Sequence, residues 1–177
     1  MISSEGNTMT SNPLSLTDEH YKAIGKISVE MADIEFCIRN TLSTLMSDNY
    51  NFNFMITVDM YFLKLLDLLK RTVKYKINDQ VLLDKFRIFV INIEKYEIER
   101  NRFIHSIWFY NTDIKQLIRT RYSKSNKEFI GIDTEIVDTT TPHKLNELAD
   151  NIKVESDNLF RLSIEMRTYL INNPKEP

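Results

Sequence analysis

Apolar and polar residues along this chain repeat with the period of a helix. From Thr17 to about Ser47 the apolar stripe reads Ile24, Ser28, Met31, Glu35, Ile38, Leu42 and Leu45. Alternating steps of four and three predict one long helix with a bundle-type seam. Thr17 or Ser15 suits its N-cap, Asp18 and Glu19 fall in its first turn, and the polar run Ser47-Asp48-Asn49-Tyr50-Asn51 ends it. A second helix is predicted from Phe54 to Lys76, with Val58, Tyr61, Phe62, Leu65, Leu66, Leu68, Leu69 and Val73 forming a wide apolar face. A third begins at an Asn78 or Asp79 cap and runs to about Tyr110 on the stripe Leu82, Phe86, Phe89, Ile93, Tyr96, Arg100, Phe103, Ile107. The pattern then changes. The stretches QLIRTRY and EFIGIDTEIV are β-branched and aromatic, and they flank Ser123-Lys124-Ser125-Asn126-Lys127, which predicts a hairpin over about 114–138. Thr141 and Pro142 open a last helix through Leu145, Ala149, Ile152, Ser156, Leu159, Ser163, Met166 and Leu170, stopped by Asn172-Asn173-Pro174. The expected fold class is all-α: a four-helix bundle over residues 17–171 with a β-hairpin inserted before the last helix. Polar tails at 1–16 and 172–177 flank it.

Composition narrows the choice of fold. Average usage would place about 12 glycines and 9 prolines in this length, whereas the chain has 3 and 4. Sandwiches and barrels need more turns than that allows, and no two glycines lie close enough for a phosphate loop or dinucleotide fingerprint. No apolar run reaches the roughly 20 residues of a membrane span. The first 13 residues lack the basic start and apolar core of a secretion signal. The single cysteine, Cys37, excludes an intrachain disulfide framework, so the cytoplasm is the default location. A net charge of −2 attracts no polyanion, so any nucleic acid must be held by a local patch.

Two seams each carry a full charge, Glu35 in the first helix and Arg100 in the third. A buried charge usually finds a partner, and opposite signs make an Arg100–Glu35 contact economical. The alternative places both at stripe edges with their heads in water.

Arg100 opens the most informative stretch, Arg100-Asn101-Arg102-Phe103-Ile104-His105, followed by Trp108. Arginine and histidine suit RNA cleavage without a metal. Imidazole moves a proton near neutral pH, guanidinium holds the phosphate and the charge developing on it, and the ribose 2′-OH is the nucleophile. At these residues the chain resembles the HEPN superfamily of small helical bundles. Its ribonuclease branch carries Arg, four to six residues and then His, often with a polar residue after the arginine. The resemblance extends over roughly 17–171 in size and helical order. It implies Arg100, His105 and Asn101 as catalytic residues, with Glu35 steadying Arg100 from behind. It also implies a homodimer whose motifs face each other across one cleft, cleavage to a 2′,3′-cyclic phosphate without a cofactor, and a place in defence or toxin–antitoxin systems, with an antitoxin or regulatory protein as a further partner. The hairpin departs from the shortest members. On a straight helix Arg100 and His105 point roughly 140° apart, so a kink near Phe103, the length of arginine or a second subunit must bring them together. A twofold interface there would bury Trp108.

The basic residues Arg102, Lys115, Arg119, Arg121, Lys124 and Lys127, with Tyr122 as a stacking surface, are candidates to hold RNA. The same hairpin charges also suit a solvated edge strand. Lys70, Arg71, Lys74 and Lys76 read as a solvated helix face. The histidines His20, His105 and His143 have no metal-binding spacing. A competing function is a catalytically silent bundle that binds a protein or nucleotide. No helix-turn-helix with a basic recognition helix stands out.

Overall fold

The computed structural model describes residues 16–46, 50–111, 116–123, 131–136 and 141–174. Its elements are α1 (Asp18–Met46), α2 (Tyr50–Thr57), α3 (Phe62–Lys76), α4 (Gln80–Ile104), β1 (Ile107–Asn111), β2 (Gln116–Ser123), β3 (Gly131–Ile136) and α5 (Pro142–Asn172). The chain is mostly helical, in line with the all-α expectation.

α1 starts where the sequence places a cap: Thr17 Oγ1 lies 2.7 Å from His20 Nδ1, and the Tyr21 amide donates to Thr17 O. Asp79 Oδ1 accepts from the Leu82 amide at 2.9 Å to cap α4, and Thr141 Oγ1 accepts from the Lys144 amide to cap α5. α1 and α5 lie side by side in the same direction, Lys26 meeting Asp150 and Cys37 Sγ meeting Ser156 Oγ farther along. α4 runs against α5, since Lys85 pairs with Glu165 and Asn92 with Glu155. One apolar core joins α1, α3, α4 and α5, with Ile34, Ile38, Leu42, Leu65, Leu69, Ile93, Leu145 and Ile152 sealed from water. Among the described helices none is long and apolar enough to cross a membrane.

The expected second helix, Phe54 to Lys76, is two helices. They break between Thr57 and Phe62 without glycine or proline. A side chain from another helix holds the break: Arg39 of α1 donates from Nη2 to Met60 O at 3.2 Å and from Nε to Thr57 O at 3.4 Å. Thr57 O is the last carbonyl of α2, where intrahelical donors run out, and Met60 O lies in the connection to α3.

The third helix also ends early, at Ile104 rather than Tyr110, and its apolar continuation Ile107–Asn111 is a strand. Within the expected hairpin span β2 and β3 pair antiparallel, and β1 adds a third strand, giving a sheet in the order β1-β2-β3. Thr120 stands opposite both Ile107 and Thr134, which fixes β2 as the centre.

Candidate functional site at the end of helix α4

The seam of α4 follows the expected stripe through Leu82, Phe86, Phe89 and Ile93, then slips by one residue. Glu97, not Tyr96 or Arg100, is the next buried position. The charge lodged where carbon is expected is therefore Glu97, which sequence reasoning missed. Its signal was its place four residues after Ile93 and four before Asn101.

Glu97 organises the motif from beneath. Asn101 Nδ2 donates to Glu97 Oε1 at 2.8 Å, and Arg100 Nη1 donates to Asn101 Oδ1 at 2.7 Å. Arg100 Nη1 also lies 3.7 Å from Glu97 Oε1. Asn101 thus bridges acid and guanidinium, using its amide as donor and its carbonyl as acceptor. The Glu97 side chain is 9% exposed and that of Arg100 24%, so the acid is nearly closed off and the arginine side chain is partly open. Two buried atoms of the cluster, Glu97 Oε2 and Arg100 Nε, have no hydrogen-bond partner among the described residues. Unmet polar atoms of this kind cost stability.

His105 is the residue that caps the C-terminus of α4. Its amide donates to Asn101 O at 3.2 Å, and its backbone (φ −100°, ψ 20°) has left the helical conformation. The side chain is exposed. Because the helix stops before it, the 140° of a straight helix does not govern its direction. Ser106 Oγ donates to Arg102 O, and Trp108 Nε1 donates to Phe103 O at 3.1 Å. The Trp108 ring stacks on Phe103 with centroids 6.2 Å apart and planes 15° from parallel. Trp108, expected at a dimer interface, thus satisfies a terminal carbonyl of its own helix.

The expected Arg100–Glu35 contact does not form. Glu35 lies beside the α1 seam, which runs through Ile27, Met31, Ile34, Ile38 and Leu42. It pairs with Arg39 one turn on, at 3.4 Å, with its side chain 27% exposed. Its place at the stripe edge explains this: the carboxylate reaches water and the nearest guanidinium. Glu35 therefore steadies the arginine that clasps the α2–α3 break.

Of the proposed RNA-holding residues, Arg102 is an exposed residue in the last turn of α4. Arg119, Arg121 and Tyr122 lie in β2, and Lys115, Lys124 and Lys127 lie outside the described residues. The register places Glu135 opposite Arg119 and Asp133 opposite Arg121. Reading the strand alone missed that pairing.

Farther along α4, buried Glu155 of α5 accepts from Asn92 Nδ2 at 2.8 Å. Burial first, then the charges of Glu155 and Glu99, raise the Tyr96 phenol above its ordinary pKa. Two grooves, of about 250 Å³ between α4 and α5 and about 260 Å³ between α1 and α5, are lined by residues other than Arg100, Asn101 and His105. Among the described residues no group of three His, Cys, Asp or Glu side chains is placed to hold a metal ion.

Comparison with models of known protein families, with functionally curated proteins and with solved structures finds no match.

Proposed function

We propose that this chain is a metal-independent endoribonuclease of the HEPN type. It would be a four-helix bundle with an inserted sheet, acting in the cytoplasm in a defence or toxin–antitoxin setting under an antitoxin or regulatory protein. The observation that carries the reading is the Glu97–Asn101–Arg100 network, which ends one turn before the exposed His105.

The chemistry needs few groups. The ribose 2′-OH attacks the adjacent phosphorus, its proton leaves, and the bond from phosphorus to the 5′-oxygen breaks with a proton returned to that oxygen. The products are a 2′,3′-cyclic phosphate and a 5′-hydroxyl. His105 moves a proton in this exchange, its exposure giving access to substrate and water. Arg100 faces the phosphate and the negative charge that builds on its oxygens. Asn101 orients the guanidinium, and Glu97 holds Asn101. Arg102, exposed in the same last turn, adds charge for the RNA backbone.

RNA digestion in excess EDTA by the wild-type chain and by His105→Ala tests the reading. Cleavage should persist in EDTA, leave cyclic-phosphate ends and fall about 10²–10⁴-fold in the variant. Cleavage abolished by EDTA, or unchanged in the variant, overturns it.

A silent bundle that binds a protein or nucleotide is the second reading. Its support is that both polar contacts of Arg100 among the described residues run to its own helix, as in a structural ion cluster. Absence of RNA cleavage by the wild-type chain favours it.

A further inference from the structure

α4 has a second seam, on the side away from its core residues Leu82, Phe86, Phe89 and Ile93. Val81, Ile88, Ile91 and Ile98 are 65%, 61%, 56% and 56% exposed. With Asp84 and Lys95, also exposed, they fill the series 81, 84, 88, 91, 95, 98. These steps of three and four are those of a coiled-coil stripe, about 25 Å long at 1.5 Å per residue. Four branched apolar side chains on one exposed line of a helix need an explanation that core packing does not provide.

The stripe also has a symmetry. Turned end for end about its midpoint between residues 88 and 91, Val81 falls opposite Ile98, Ile88 opposite Ile91, and Asp84 opposite Lys95. Carbon meets carbon, and the two charges meet their opposites. A parallel pairing would set Asp84 on Asp84 and Lys95 on Lys95. Within the chain Asp84 accepts from Gln80 Nε2 at 2.9 Å, and Lys95 Nζ stands 6.0 Å from the Tyr96 ring centroid. Among the described residues neither forms an ion pair.

We infer that the outer face of α4 binds a second copy of this chain, the two α4 helices running antiparallel about a twofold axis between Ile88 and Ile91. Each subunit gives the same patch and receives it, as twofold contacts require. The paired Asp84 and Lys95 fix direction and register more than they add strength, and like charges in their place oppose the wrong pairing.

The arrangement has a consequence for the motif. His105 lies fifteen to sixteen residues from the axis, so the two motifs stand roughly 45 Å apart along the pair. This contact is therefore separate from the shared cleft that the HEPN resemblance implies, and it leaves the motif end of α4 free for that cleft. The inference does not depend on ribonuclease activity, because it rests on the stripe alone.

Sedimentation of the wild-type chain up to about 100 μM reads the association. A dimer is expected, weakened about tenfold or more by Asp84→Lys or by Lys95→Asp, and restored when both substitutions are made in one chain. Direction is read by disulfide trapping. A mixture of Val81→Cys and Ile98→Cys chains should cross-link, while neither variant should cross-link with itself. A monomer throughout, a charge swap that restores nothing, or self-linking of each variant alone overturns the inference. All four positions are exposed, so folding does not confuse the result.

Discussion

The contact between α1 and α5 and the last two turns of α4 handle buried polarity in opposite ways. Between α1 and α5 the interior is carbon, with Ile27, Ile34, Ile38, Leu42, Leu145 and Ile152 sealed. The polar atoms admitted there are satisfied locally: Thr41 Oγ1 donates to Cys37 O at 2.8 Å, and Ser156 Oγ lies 3.2 Å from Cys37 Sγ. At the end of α4 a carboxylate is buried beside a guanidinium, and each keeps one buried atom without a partner among the described residues. The first region holds the fold together. The second holds opposite charges together at a cost in stability.

Truncation separates them most sharply. Leu42→Ala removes most of a sealed side chain from the α1–α5 seam and should cost about 2–5 kcal/mol in urea unfolding. The double variant Glu97→Leu, Arg100→Met should behave differently. It removes both charges together and leaves the half-buried Asn101 amide to turn to water, and replacing a largely buried ion pair with carbon leaves stability little changed or raises it by about 1–4 kcal/mol. RNA cleavage by the double variant should be lost. A loss of stability as large as that of Leu42→Ala would make the cluster structural and erase the contrast.

The sequence discloses the two regions unequally. The α1 and α5 stripes are readable because they repeat over many turns, although the α1 seam lies one residue away from Ile24, Ser28 and Glu35. The α4 seam is readable to Ile93. Beyond it a step of three reaches Tyr96 and a step of four reaches Glu97, and the helical period alone does not choose between them. Charge misleads here as well, since Arg100 continues the formal stripe while the buried position is an acid. The end of α4 is hidden for a similar reason: Ile107-Trp108-Phe109-Tyr110 suits a helix seam as well as a strand, and pairing with β2 decides it. The α2–α3 break depends on Arg39, contributed by a different helix. Only Arg100, Asn101 and His105 were evident as a motif. Their support by Glu97 appears once the helix packs.

Trp108→Phe sharpens the comparison at lower amplitude. The variant keeps an aromatic ring to stack on Phe103 and removes the indole N–H that donates to Phe103 O. The lost hydrogen bond should cost about 1 kcal/mol, well below the cost at Leu42. If Trp108 instead anchors a subunit contact, the same variant lowers the association measured by sedimentation. An unchanged dimer with slightly lower stability fits the outer α4 face as the interface.

The smallest effect lies at Tyr96, between the carbon seam of α4 and its charged end. Burial, then Glu155 and Glu99, holds its phenol protonated to higher pH in the folded chain than in the unfolded one. Below the unfolded value near pH 10, both states keep the proton and the group adds no pH dependence. Above it the unfolded chain loses the proton first. The folded state then binds more protons, and stability falls as pH rises through the folded pKa. Urea unfolding of the wild-type chain and Tyr96→Phe between about pH 8 and 11 should therefore give a constant difference at the lower end. The decline at the upper end should be shallower in the variant. Parallel declines would mean that the phenol is solvated like any surface tyrosine, which would move the polar boundary of α4 back to Glu97.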